Sequence, residues 1–176
     1  AMCTENIVGH LERGVASTKC FTASVAALYV LALGMGLARG KLSREELQHH
    51  MNDLARLPEA VARTLRDAPV CEREAQRFKT AGHILFLGRG LAFPAAMEGA
   101  LKMKEISYIH AEGYAAGEMK HGPIALIDAD FPTIAIATRH ALRAKIVSNI
   151  EQVQARGGTV LAIVTEGDGQ IAALAD

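Results

Sequence analysis

The charged side chains between residues 98 and 105 have the types and spacing of a group that moves protons. Glu98, Lys102 and Glu105 follow one another at i, i+4 and i+7, which in a helix places them within an arc of about 60°. A carboxylate such as Glu105 can move a proton between neighbouring carbons of a sugar through an enol-type intermediate. Lys102 would favour the ionised carboxylate and offset negative charge on a substrate oxygen. The same spacing also suits a solvated helix face held by ion pairs.

Other residues that could take part in catalysis or binding lie before and after this segment. The segment GEMKHGP holds Lys120 and His121 between glycines, so an imidazole on this loop could reach a site in the same or a neighbouring subunit. The turn LGRG could hold a phosphate at a helix start, but a G-x-G alone is weak evidence and favours a tight turn without ligand. His49 and His50 are adjacent and point apart on a helix, so they predict no metal site.

The elements that carry these groups follow from hydrophobic periodicity. Helical periodicity begins after the segment GVASTK, where Ser17 or Thr18 is placed to cap the helix, and ends near Gly40. Ser43 and Glu46 form a capping box that opens a second helix, and a third short helix is predicted over residues 69–80. The apolar run 23–38 is shorter than the ~20 residues of a membrane span, so we predict a buried or interface helix there.

Three short apolar runs then predict buried strands: HILFLG (83–88), PTIAIAT (132–138) and TVLAIV (159–164). A helix beginning near Phe93 and Pro94 follows the first run, and an amphipathic helix lies between the other two. This alternation predicts a doubly wound parallel α/β sheet with flanking helices. Ligands bind at the carboxyl ends of the strands in such sheets, so we expect the site of Glu105 there. We predict a helical segment over 1–67 and an α/β core over 68–176.

Composition narrows the function class. The chain has 176 residues, 50% of them hydrophobic, and its 19 basic side chains balance 19 acidic ones, which disfavours nucleic acid and anionic membranes as partners. The cysteines, Cys3, Cys20 and Cys71, form no C-x-x-C pair and are odd in number, so we predict a reduced, cytoplasmic protein with no thiolate metal site.

Four segments carry a more specific signal than the spacing of residue types: GVASTKCFT (14–22), LFLGRG (85–90), the continuous block 98–132, and SNIEQVQARGG (148–158). They closely resemble the isomerase half of the glutamine:fructose-6-phosphate aminotransferase (isomerising) family. The resemblance implies a sugar isomerase (SIS) fold in a cytoplasmic dimer or larger assembly. It also implies synthesis of glucosamine-6-phosphate from fructose-6-phosphate and glutamine, with no metal and no organic cofactor.

The resemblance also implies roles for individual residues. Glu105 matches the base that moves the proton between C1 and C2 of the fructose-derived imine, and Lys102 matches its polar neighbour. His121 matches a histidine that is delivered across the subunit interface and assists sugar ring opening. Substrate contacts are implied for Val15 and Ser17, with Glu98 as a supporting residue.

Parts of the family pattern are absent from this sequence: the glutaminase, the first SIS domain with its Ser-x-Ser-Gly-x-Thr phosphate clamp, and the tail lysine that forms a Schiff base. We therefore predict a truncated second SIS domain that is nearly inactive alone. Two alternatives stay open at this stage. One is a non-catalytic SIS module that binds sugar phosphates, and the other is a deglycase that acts on fructosamine phosphates.

Overall fold

The computed structural model describes residues 15–175, and the chain divides into two units, one ending at Gln76 and the other beginning at Arg77. The predicted boundary between residues 67 and 68 lies slightly earlier, and that division stays a prediction. Cys3, like the rest of the segment before residue 15, lies outside the described residues.

The first unit consists of helices. Helix α1 spans Lys19–Ala38, helix α2 spans Arg44–Thr64, a short 3-10 turn covers Leu65–Asp67, and helix α3, Ala68–Phe78, continues into the second unit. Thr18 occupies the N-cap position of α1, but the expected capping hydrogen bond from its side chain is absent. The predicted capping box of α2 is confirmed, because the Ser43 N–H donates to Glu46 Oε2 at 2.8 Å and the Glu46 N–H donates to Ser43 Oγ at 3.1 Å.

Helix α1 is more exposed than its sequence predicts. Only Leu33 is buried along the helix, and large apolar side chains such as Leu28 and Leu31 are exposed. The expectation that α1 is buried is therefore wrong within this chain, where most of its apolar side chains are exposed. The alternative expectation, an interface helix, stays a prediction, and apolar residues on all sides of a helix are typical of one that is covered. Starting at Lys19, α1 also reaches 20 residues with a mean hydropathy of 1.9, which by length and composition alone is enough to cross a membrane.

The second unit contains a parallel sheet of four strands in the order β2-β1-β3-β4. The strands are β1 (His83–Gly88), β2 (His110–Ala115), β3 (Thr133–Ala137) and β4 (Val160–Val164). Strands β1, β3 and β4 confirm the three predicted runs. Strand β2 was not predicted, because HAEGYA is a mixture of small and polar residues at the sheet edge without an apolar run.

Helices flank both faces of this sheet. Helix α4 (Ala92–Ser107) joins β1 to β2, helix α5 (Arg143–Gln154) joins β3 to β4, and helix α6 (Gly169–Ala172) follows β4. Two 3-10 segments, Ala116–His121 and Pro123–Leu126, lie between β2 and β3. This arrangement confirms the predicted α/β class with helices on both faces of a parallel sheet.

The two faces of the sheet have separate cores. On one face, side chains of β1 and β3 pack with α5, including Leu85, Leu87, Ile146 and Ile150. The other face packs against α4 through Ile84, Phe86, Ala96 and Ala100. The small residues of α4 let the helix lie close to the sheet.

Candidate active site

The direction of helix α4 decides where the charged residues lie. The helix begins just after the carboxyl end of β1 and ends at Ser107, shortly before β2 begins at His110. Along the helix, Glu105 lies about 20 Å from Ala92 at 1.5 Å per residue. Glu105 is therefore near the amino end of β2, and the expectation that it lies at the carboxyl ends of the strands is wrong. The reason is that a crossover helix must travel back along the sheet before the next parallel strand starts.

The three charged side chains of α4 do share one face, as the spacing predicts. Lys102 Nζ lies 3.1 Å from Glu98 Oε1 and 3.1 Å from Glu105 Oε2. The side chains of Glu98, Lys102 and Glu105 are 21%, 19% and 27% exposed, so each is largely but not fully shielded from water. The ion pairs fit both interpretations of the spacing, and the partial shielding of all three side chains is what distinguishes the group from a fully solvated helix face.

Electrostatics within this group favour a charged lysine. Desolvation acts to lower the pKa of Lys102, but hydrogen bonds and charge attraction from Glu105 and Glu98 outweigh it, so the pKa of Lys102 is raised above its ordinary value. Lys102 contacts Oε2 of Glu105, and within the described chain the other oxygen, Oε1, accepts no hydrogen bond.

His121 lies elsewhere in the same unit. It ends the 3-10 segment that follows the carboxyl end of β2, its side chain is 75% exposed, and its Nε2 is 3.9 Å from Glu118. Strand β2 separates this position from the end of α4 by about 20 Å, at roughly 3.3 Å per residue. Along the chain, Glu105 precedes the amino end of β2 and His121 follows its carboxyl end, and no contact joins the two among residues 15–175.

The predicted sugar-contacting residues belong to the first unit. Val15 is exposed, with 87% of its surface accessible, and Ser17 is half-buried. Glu105, Lys102 and His121 belong to the second unit. The roles of Val15 and Ser17 therefore stay predictions.

The glycine turn after β1 is explained by packing. A Cβ at Gly88 would lie 2.1 Å from the carbonyl oxygen of Ala92, and Gly90 has a φ of +58°. Arg89 between them donates to Oδ1 of the buried Asn149 at 3.1 Å. Close approach of the helix start thus accounts for Gly88, and the left-handed backbone accounts for Gly90. The phosphate site at this turn stays a prediction.

Sequence reasoning missed a second group of polar residues beside this turn. Arg89 and Asn149 line an open cavity of about 290 Å³ together with Lys120 and Lys145. The arginine inside the LGRG turn was the available signal, but its partner Asn149 is 60 residues away and could not be assigned from sequence.

With this architecture established, the chain is identified by its family. Residues 77–176 match the model of the SIS domain, and the chain therefore belongs to the SIS domain family. Its more specific likeness is to glutamine–fructose-6-phosphate aminotransferase (isomerizing). The chain is 54% identical over 166 residues to that protein of Chlorobaculum tepidum, and 52% identical over 164 residues to that of Thermus thermophilus.

A solved structure supports the same likeness. The C-terminal domain of glucosamine-fructose-6-phosphate aminotransferase from Francisella tularensis superposes with a TM-score of 0.89 at 38% identity, covering 92% of this chain and 45% of that chain. The alignments with the two curated relatives cover 94% and 93% of this chain. This chain spans 27% of the length of each of them, so it corresponds to one part of a longer protein in those organisms.

Proposed function

We propose that this chain is the second SIS domain of a glutamine:fructose-6-phosphate aminotransferase (isomerising), where it isomerises the sugar during glucosamine-6-phosphate synthesis. The observation that carries the proposal is the ion-paired group on α4. Glu105 is partly shielded, bonded to Lys102 through one oxygen and free at the other. It occurs in a chain 54% identical to a protein of that name.

In this mechanism, Glu105 Oε1 removes a proton from one of C1 and C2 of the fructose-derived imine and returns it to the other. Lys102 balances negative charge that develops on the substrate. Glu98 holds the second side of the ammonium, so that Lys102 is positioned from both directions. Val15 and Ser17 contact the sugar.

The proposed assembly is a homodimer in which His121 serves the site of the partner subunit and assists ring opening. Two facts support this arrangement: His121 is 75% exposed, and β2 separates it from Glu105 within one chain. The parent chain would also supply a glutaminase, a first SIS domain with the phosphate clamp, and the lysine that forms the Schiff base. The proposed location is the cytoplasm, and no metal or organic cofactor takes part.

The decisive experiment uses the full-length protein that contains this segment. Incubation with fructose-6-phosphate in deuterated water should incorporate deuterium at the sugar carbon that receives the proton, measured by NMR. The substitution Glu105→Gln should lower this exchange roughly 10²- to 10⁴-fold, because a positioned base contributes about that factor. The control Glu151→Gln removes an exposed carboxylate on α5 and should leave the rate unchanged.

Other outcomes would separate the alternatives. Tight calorimetric binding of fructose-6-phosphate with no turnover would favour a non-catalytic binding module. Turnover of a fructosamine phosphate in preference to fructose-6-phosphate would favour the deglycase. The 176-residue chain alone should show almost no exchange, since positioning and phosphate binding supply much of the rate.

A further inference from the structure

Two histidines lie side by side at the edge of the sheet. His83 is the first residue of β1 and His110 is the first residue of β2, and the parallel register pairs them directly. Their Nδ1 atoms are 3.4 Å apart, their ring centroids are 5.4 Å apart, and both residues are exposed. The contact is a hydrogen bond only if one Nδ1 carries a proton and the other does not.

We propose that His83 and His110 form a two-histidine site for a borderline divalent metal ion such as Zn²⁺. Zinc binds imidazole nitrogen at about 2.0–2.1 Å in tetrahedral geometry, which sets two ligand nitrogens roughly 3.3 Å apart. The observed Nδ1 to Nδ1 distance of 3.4 Å matches that spacing. A metal ion would replace the proton that the two rings share, and each ring would turn its lone pair towards the ion.

The backbone holds the two rings in this relation. Strands β1 and β2 are paired along all six residues of each strand, so the Cα positions of the histidines are fixed by the ladder. The ring of His83 also makes an edge contact with the largely buried Phe131, at a centroid distance of 6.0 Å. Because the backbone positions are fixed, metal binding would restrict only the side-chain torsions of the two histidines.

The surroundings leave room for the remaining ligands. His83 borders a cavity of about 350 Å³ whose lining includes Arg77 and Asp130, one charge of each sign. Among residues 15–175, no cluster of three or more His, Cys, Asp or Glu side chains could hold a metal ion. Water would therefore complete the coordination, which makes this an exchangeable site rather than a closed structural one.

The choice of metal follows from the ligands. Imidazole suits Zn²⁺, Ni²⁺ and Cu²⁺, whereas Mg²⁺ and Ca²⁺ prefer oxygen ligands. The cavity beside His83 is lined by one charge of each sign, Arg77 and Asp130, and the ring of His83 contacts Phe131.

Calorimetric titration of the 176-residue chain with ZnCl₂ in a non-chelating buffer at neutral pH tests the site. His83→Gln and His110→Gln should each weaken Zn²⁺ binding roughly tenfold or more, because the chelate becomes a single imidazole. Zn²⁺ should also raise the unfolding midpoint of the unsubstituted chain and not of either variant. The control His49→Gln removes an exposed histidine beside Asp53 and should change neither result.

A second measurement needs no substitution. Paramagnetic Ni²⁺ should broaden the NMR signals of residues at the starts of β1 and β2 before any others. Unchanged Zn²⁺ affinity in both variants, an equal loss in His49→Gln, or broadening centred elsewhere would each overturn the proposal. None of these measurements depends on sugar turnover, so the proposed isomerase function can fail or succeed separately.

Discussion

Lys102 Nζ lies 3.1 Å from Glu105 Oε2, and it lies equally close to an oxygen of Glu98 on the preceding turn. One ammonium group therefore serves two carboxylates along a single helix face. The two acids exceed the ammonium by one formal charge, and among the described residues Glu105 Oε1 accepts no hydrogen bond. The shared lysine holds both carboxylates in place along this face.

The first prediction concerns this lysine. Lys102→Met in the full-length protein should lower the rate of fructose-6-phosphate isomerisation about 10²-fold or more, because a preorganised charge beside the substrate is lost. Lys102→Arg should retain more of the rate, since it keeps the positive charge. The values of kcat and KM should be measured for both variants and for Lys104→Met, an exposed neighbour that serves as control. A wild-type kcat in Lys102→Met would show that the ion pairs are only structural.

The second prediction tests whether the site is shared between subunits. The full-length variants Glu105→Gln and His121→Gln should each isomerise fructose-6-phosphate at a very low rate. If His121 acts in the partner's site, mixing the two after subunit exchange should restore about a quarter of the wild-type rate, because half of the dimers are mixed and each contains one intact site. Activity that stays at the level of the separate variants would place both residues in the same chain's site.

The third prediction concerns how the stability of the second unit depends on pH through the ion pair between Arg143 and Asp168. Arg143 Nε donates to Asp168 Oδ2 at 2.7 Å, a second guanidinium nitrogen donates to Oδ1, and Asp168 also caps α6 by accepting from the Ile171 N–H. The hydrogen bonds from Arg143 are the main reason that the pKa of Asp168 is held below its ordinary value of 3.8, while burial acts in the opposite direction. A lowered folded-state pKa means that this pairing stabilises the fold above the unfolded pKa.

That stabilisation should disappear as the pH falls from the unfolded pKa through the lower folded pKa of Asp168. Urea unfolding from about pH 7 down to about pH 3 should show the wild-type free energy of unfolding declining at the acidic end. Asp168→Asn should be less stable at neutral pH and less dependent on pH in the acidic range. The control is Asp130→Asn, which changes an exposed carboxylate. If the free energy of unfolding of Asp168→Asn changes with pH in parallel with that of the wild type, the prediction is contradicted.

The fourth prediction concerns the contact between β2 and α4. A Cβ added at Gly113 would lie 2.5 Å from the Cα of Met97 and 2.8 Å from its backbone nitrogen, so the clash involves main chain that cannot rotate away. Gly113→Ala should therefore destabilise the second unit by about 1–3 kcal/mol, the usual cost of overpacking. Gly82→Ala is the matched control, because nothing lies within 4 Å of a Cβ there. Equal unfolding midpoints for the two variants would show that α4 can shift away from the edge strand.

Local patterns in the sequence were sufficient to predict several elements of the fold. The capping box of Ser43 and Glu46 and the buried strands β1, β3 and β4 are encoded by neighbouring residues, so each could be predicted without tertiary information. The shared face of Glu98, Lys102 and Glu105 is likewise a consequence of helical spacing. The block 98–132 also indicated the family to which the chain belongs.

Tertiary structure alone decided the rest. Strand β2 exists because β1 offers a free edge and Gly113 allows α4 to approach, and neither condition is visible in the letters HAEGYA. The direction in which α4 returns along the sheet sets Glu105 near the amino end of β2 and leaves His121 at the other end. Side-chain types and their order along the chain are local properties, whereas the distance between two groups depends on how the elements pack. The sequence therefore determined which residues could do chemistry, and the fold determined which of them one chain can bring together.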